Sequence, residues 1–303
     1  MKQKSENQIA LAPENTRSWV GVGLLLLSAL GFTISMLFAN MAYKGGIDVH
    51  TTNAARYLAA IVLLFLFQKI RGKKLGLPPR ERYTSLALGV SVFMMGLGYL
   101  GATQYIPVSL ACLLFYTFPV FVSVIARFTE NEPITAVRLV AIIIAFIGLG
   151  LALEVHSLTN LNWPGVAFGF LSSFGCTTFV IVSSLSMRTA DPQAINFHCL
   201  AAGTVFFAVF LFFTGVPTGM IPCSVLSKLG VSSLALATGY ITLFTGLEII
   251  GPVKTSMLLN VEPILTITLA AIFLGERLGA IQLIGAAFVI LGIILITGGS
   301  KKR

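Results

Sequence analysis

Long apolar runs separated by short polar breaks fill nearly all of this 303-residue chain, and their spacing predicts ten membrane-crossing helices. The runs fall at about residues 19–40, 51–68, 83–103, 108–127, 134–154, 163–186, 194–213, 226–246, 252–274 and 278–298. Each approaches the roughly 20 residues that a helix needs to cross a hydrocarbon core of about 30 Å. The apolar stretch 84–128 is too long for one helix. Residues 104–107 supply the turn, because Pro107 has no backbone donor and disfavours helix before it.

The pattern is written twice, with an offset of 144 positions. Laid over one another without a gap, residues 19–33 and 163–177 are identical at seven of fifteen positions: Trp19 with Trp163, Gly21 with Gly165, Val22 with Val166, Leu27 with Leu171, Ser28 with Ser172, Gly31 with Gly175 and Thr33 with Thr177. The same register later pairs Leu114 with Leu258, Pro119 with Pro263, Glu132 with Glu276 and Gly148 with Gly292. Five crossings per copy force the second copy to enter the bilayer from the opposite side. The expected fold is therefore an all-α polytopic membrane protein of ten transmembrane helices, arranged as a 5+5 inverted-topology repeat. A polar tail is expected at 1–16, the first copy at 17–156, the second at 157–299 and a basic tail at 300–303.

Charge orients this arrangement, because Lys and Arg accumulate in short cytoplasmic loops. With both termini cytoplasmic, sixteen basic residues lie inside and four, Lys44, Arg56, Lys228 and Arg277, lie outside. Residues 69–82 carry six basic residues, whereas their counterparts 213–226 carry none, as an inverted second copy requires. The chain is 56% hydrophobic and 10% charged, with mean hydropathy +0.92, far from a soluble domain. Its net charge of +9 therefore reads as topology rather than as a nucleic-acid surface. Cys112, Cys176, Cys199 and Cys223 show no paired spacing, so neither disulfide framework nor metal site is expected. Gly246 and Gly251 have the glycine spacing of a phosphate loop, but Pro252 stands where lysine is needed, and no nucleotide or other cofactor is expected. No hydrolase or metalloprotease motif occurs, which makes a membrane enzyme or a scaffold without transport the weaker alternative.

The duplicated layout, "RYLAA" at 56–60, "VSLACLLFYTFPVF" at 108–121 and "EPILTITLAAIFLGERL" at 262–278 resemble the drug/metabolite transporter superfamily, and within it the EamA branch. The resemblance runs from about residue 19 to 297; "TENEPI" at 129–134 departs from it, standing where the second copy has Gly275 and Glu276. It implies a secondary transporter of the cell membrane, and the absence of an N-x-[ST] acceptor in an outer loop is compatible with a bacterial inner membrane. Such a protein moves a small metabolite, an amino acid or related compound, through a central cavity between the halves by alternating access. Efflux is the expected direction; uptake or facilitated exchange by the same fold is the alternative. The expected partners are a small-molecule solute, membrane lipid and a coupling proton, with no nucleic acid; a homodimer is compatible with the sequence.

Candidate site residues follow from polarity at membrane depth, where an unpaired charge costs at least about 2.5 kcal/mol. Glu262 lies about ten residues into its predicted span, near the midplane, and its counterpart is Phe118. Pro263 after it frees a carbonyl one turn back, which can line a cavity. Glu262 is expected to couple transport to a proton or to bind a substrate ammonium; the alternative is a structural carboxyl bonded to Asn260 or a neighbouring hydroxyl. Arg56, whose counterpart is Leu200, is expected either to bind a substrate carboxylate or to snorkel to the interface. Tyr99, Tyr116 and Tyr240 join the set as amphipathic rings suited to a cavity, with Tyr105 as a further example, and His198 as the one histidine inside a span. Trp19 and Trp163 read as interfacial anchors. Glu132 and Glu276 read as span-end residues that pair with Arg138 or Arg277, and Gly96, Gly98, Gly101, Gly285 and Gly292 as packing positions.

Overall fold

The computed structural model describes residues 14–43, 47, 49–103, 105–106, 108–129, 135–153, 162–214, 223–274 and 279–298. Glu132, Glu276, Arg277 and Lys44 lie outside the described residues, as do most of the two expected tails. The described residues form eleven helices and no strand. In chain order these are α1 (Glu14–Tyr43), α2 (Val49–Ile70), α3 (Pro79–Thr103), α4 (Val108–Phe115), α5 (Phe118–Thr129), α6 (Ala136–Ala152), α7 (Trp163–Ser186), α8 (Pro192–Thr214), α9 (Cys223–Leu259), α10 (Val261–Leu274) and α11 (Ala280–Gly298).

Among the described residues, six helical stretches are long and apolar enough to cross a bilayer: Ser18–Ala39, Thr51–Ile70, Leu110–Thr129, Trp163–Ser186, Pro192–Phe213 and Cys223–Leu259. Shorter apolar helices lie at Ala136–Ala152 and Ala280–Leu295. Within α9 the backbone leaves the helical path at Gly251, whose φ of 76° is open to glycine, and Pro252 follows. That residue falls between the runs 226–246 and 252–274. The described part of α1 already includes residues 14–16, inside the segment expected to be a tail.

The most extensive helix contacts each join an element from before residue 154 to one from after 162: α1 with α9, α3 with α7, α6 with α11, α3 with α8, and α2 with both α9 and α8. The main core lies at this seam, where Leu25, Tyr116, Phe118, Phe179, Leu200, Tyr240 and Phe244 are buried together. Lipid supplies no hydrophobic drive for helix association, so close backbone approach and interhelical hydrogen bonds carry the packing.

Those devices recur at the 144-residue offset. Ser28 in α1 donates to the Gly239 carbonyl of α9 at 2.8 Å, and Ser172 in α7 donates to the Met95 carbonyl of α3 at 2.9 Å. A Cβ on Gly31 would stand 2.9 Å from the Ala235 carbonyl oxygen, and one on Gly175 would stand 3.0 Å from the Ser91 carbonyl oxygen. Gly148 approaches the Gly285 carbonyl, and Gly292 that of Ala141, in the same way. In every case both members of the contact shift together by 144. Trp19 and Trp163 are both exposed at the starts of α1 and α7.

Candidate functional site

Two helices are interrupted at matching positions. The run 108–127, expected as one helix, breaks at Tyr116 and Thr117 between α4 and α5, and the run 252–274 breaks at Asn260 between α9 and α10. A proline follows each break, Pro119 and Pro263, and these two are counterparts in the repeat. Proline offers no N–H to the carbonyl four residues earlier, so the α-helical ladder fails there and the chain tightens. Thr117 N–H donates to the Leu114 carbonyl at 3.2 Å, and Asn260 N–H to the Met257 carbonyl at 3.2 Å, both three-residue turns. The Thr117 hydroxyl adds a bond to the same Leu114 carbonyl at 2.6 Å and lies 2.8 Å from the Ser173 hydroxyl of α7. Glu262 thus stands in the first turn of α10 rather than ten residues into a continuous helix. A carboxylate there faces the positive end of the helix dipole, a favourable position.

The two breaks meet. Glu262 is half-buried as a residue, and its carboxyl faces the Tyr116 hydroxyl, which comes from the other break. Tyr116 is buried and packs edge-on against Phe115 at 5.0 Å. Tyr99 of α3 packs edge-on against Phe115 at 6.1 Å, with Cys112 beside it. Asn260 is buried, and its Oδ1 has no hydrogen-bond partner. A small cavity opens beside it, lined in part by Tyr116, Pro119, Leu149 and Met257. Thr33 of α1 contacts the Glu262 carbonyl at 3.4 Å, which ties the break to the first helix. Glu262, Asn260, Tyr99 and Tyr116 therefore form one group. Of the two neighbours considered for a structural carboxyl, the hydroxyl is the one that Glu262 meets.

The other candidates lie elsewhere. Tyr240 joins a separate aromatic layer: its hydroxyl lies 3.4 Å from that of Tyr57, its ring meets Phe32 at 5.1 Å, and Tyr57 stacks on Phe207 at 5.5 Å. Tyr57 escaped the sequence reading, although it adjoins Arg56. Arg56 does not snorkel: it is 5% exposed, and its guanidinium donates to Ser35 Oγ at 2.8 Å and Asn53 Oδ1 at 3.2 Å. His198 keeps its Nδ1 2.9 Å from the Ala194 carbonyl of its own helix and packs on Phe197, remote in its contacts from Glu262. Tyr105 is exposed and stacks on Phe168.

A polar group also missed by sequence reading sits where α2 ends and α8 begins. Asp191 accepts from the backbone of Gln193 and Ala194 at 3.0 and 3.1 Å, capping α8, and pairs with Lys73 at 3.4 Å. Buried Gln193 donates to the Ile241 carbonyl at 2.9 Å and Thr245 Oγ1 at 3.1 Å in α9, and Asn196 donates to Gln193. Among the described residues no group of three or more His, Cys, Asp or Glu could hold a metal ion.

Several relatives match this chain over nearly their whole length. An uncharacterized transporter of Clostridium kluyveri is 26% identical over 93% of this chain and 94% of its own. The uncharacterized transporter YoaV of Bacillus subtilis is 27% identical over 92% and 98%, and an uncharacterized transporter of Archaeoglobus fulgidus 26% over 91% and 95%. One solved crystal structure superposes with a TM-score of 0.79 at 14% identity, covering 95% of this chain and 99% of that one, a likeness of fold. The profile of the EamA-like transporter family matches twice, at residues 19–153 and again at 163–298. With both halves matched and transporters among its relatives, this chain belongs to the EamA-like transporter family and is a multi-pass membrane protein.

Proposed function

We propose that this protein is a proton-coupled secondary transporter that exports a small metabolite, an amino acid or related compound, by alternating access. Ten spans with both termini cytoplasmic, in a bacterial inner membrane, are the topology that the basic residues and the repeat favour. The observation that carries the reading is the meeting of the two helix breaks at Tyr116 and Glu262. Discontinuous helices at a repeat interface are where such carriers bind solute and coupling ion, because interrupted backbone and half-helix ends offer polar groups at membrane depth. Glu262 takes and returns the proton or holds a substrate ammonium. Asn260 supplies an open acceptor, and Tyr99 and Tyr116 supply aromatic walls with polar tips.

Metabolite profiling of cells with and without the protein names the solute. Counterflow in reconstituted vesicles then tests the reading: saturable, time-dependent exchange supports a carrier, and product formation without translocation identifies an enzyme instead.

A further inference from the structure

The repeat relates the two ends of the bundle, so polar groups present at only one end mark a difference in how the ends close. Where α2 begins, Ser35 of α1 donates to the Ser232 carbonyl of α9 at 2.7 Å, and Ser232 donates back to the Ser35 carbonyl at 2.6 Å. Arg56 of α2 closes the group by donating to Ser35 Oγ at 2.8 Å. Three helices from both halves are thereby joined by side chains that are almost wholly buried. Shifted by 144, the three positions are Phe179, Leu200 and Leu88, all buried and apolar. The opposite end is closed by other chemistry, the Gln193, Asn196 and Asp191 group, and the counterparts of Gln193 and Asn196 are Val49 and Thr52.

Resting on the alternating-access reading above, we propose that Arg56, Ser35 and Ser232 are the latch that closes the outer end of the transport path. Arg56 here is a gating residue rather than a substrate ligand. Its partners among the described residues are two neutral oxygens, and its Nε has none. A guanidinium held so sparingly regains hydration when the helices part, so the closed arrangement is reversible rather than permanent. The latch is also joined to the site: Ser35 stands two positions after Thr33, which contacts the Glu262 backbone. A shift of α1 that opens one disturbs the other. The Gln193 group is then the latch of the cytoplasmic end, with α2 and α9 engaged at both ends.

Cys112, half-buried beside Tyr99 and Glu262, is a built-in reporter of access to the site. With Cys176, Cys199 and Cys223 replaced by alanine, a membrane-impermeant maleimide is applied to spheroplasts and, separately, to inside-out vesicles. Arg56→Ala and the milder Ser232→Ala are expected to raise labelling of Cys112 from the outer face at least five-fold and to lower it from the cytoplasmic face. Gln193→Ala is expected to do the reverse, and Arg56→Lys, which keeps a donor for Ser35, to restore the parent pattern. Labelling that rises equally from both faces, or does not change from the outer face, overturns the latch while leaving the path intact. Cys112 labelled from neither face in any variant overturns both the latch and the path it closes.

Discussion

The Glu262 carboxyl and the Tyr116 hydroxyl meet across the seam although 146 positions separate them in the chain. The two side chains face one another where the helix breaks meet, so a change in either is expected to be felt by the other. Glu262→Ala is expected to lower transport at least ten-fold. Glu262→Gln, which keeps the shape and loses the proton exchange, is expected to abolish the dependence of transport on a pH gradient. Tyr116→Phe is expected to retain transport at a rate a few-fold lower. Solute flux measured with and without an imposed gradient checks all three, and wild-type behaviour in both Glu262 variants removes that residue from the mechanism.

Sequence reasoning singled out both residues of this pair, yet could not pair them. Glu262 stood out because an acid at membrane depth needs a reason, and Pro263 after it marked a freed carbonyl, but both runs were expected as unbroken helices. The repeat was visible because close packing demands the same small residues twice, as Gly31 with Gly175 and Ser28 with Ser172 show. The latch residues were not visible, since Ser35 and Ser232 in an apolar helix look alike whether they face lipid, their own backbone or a third helix. Arg56 was noticed, but one of its two partners, Ser35, lies on α1, and nothing local reveals that. His198 was included for its chemistry alone, and its ring bonds to the turn below it.

Packing at the two repeat-related crossings should respond alike. Gly31→Leu and Gly175→Leu each drive side-chain atoms into a carbonyl on the facing helix and are expected to cost about 1–3 kcal/mol. Gly23→Leu, where a Cβ meets nothing within 4 Å, is expected to cost little. Ser28→Ala and Ser172→Ala each remove one interhelical hydrogen bond, worth about 0.6 kcal/mol in a membrane protein. Thermal unfolding in detergent measures these differences; a large disparity between Gly31 and Gly175 would contradict the equivalence of the two crossings.

The helix breaks are expected to separate stability from activity. Pro263→Ala returns an N–H to the ladder and relieves a defect that costs about 3 kcal/mol inside an ordinary helix. The variant is expected to unfold at a higher temperature than the parent and to transport more slowly, because a straightened helix moves Glu262 away from Tyr116. Pro119→Ala at the counterpart break is expected to act in the same direction. Unfolding temperature and flux measured on the same preparations decide it, and faster transport in either variant contradicts the role given to the breaks.

Proteoliposomes loaded with a pH-sensitive dye put the central claim to its most direct trial. A panel of amino acids and related amines is added outside, and internal pH is followed for the wild type and for Glu262→Gln. At least one solute is predicted to move protons in the wild type, saturably, and to move none in the variant. Equal proton movement in both proteins, or no solute-driven movement in correctly folded wild type, would contradict it.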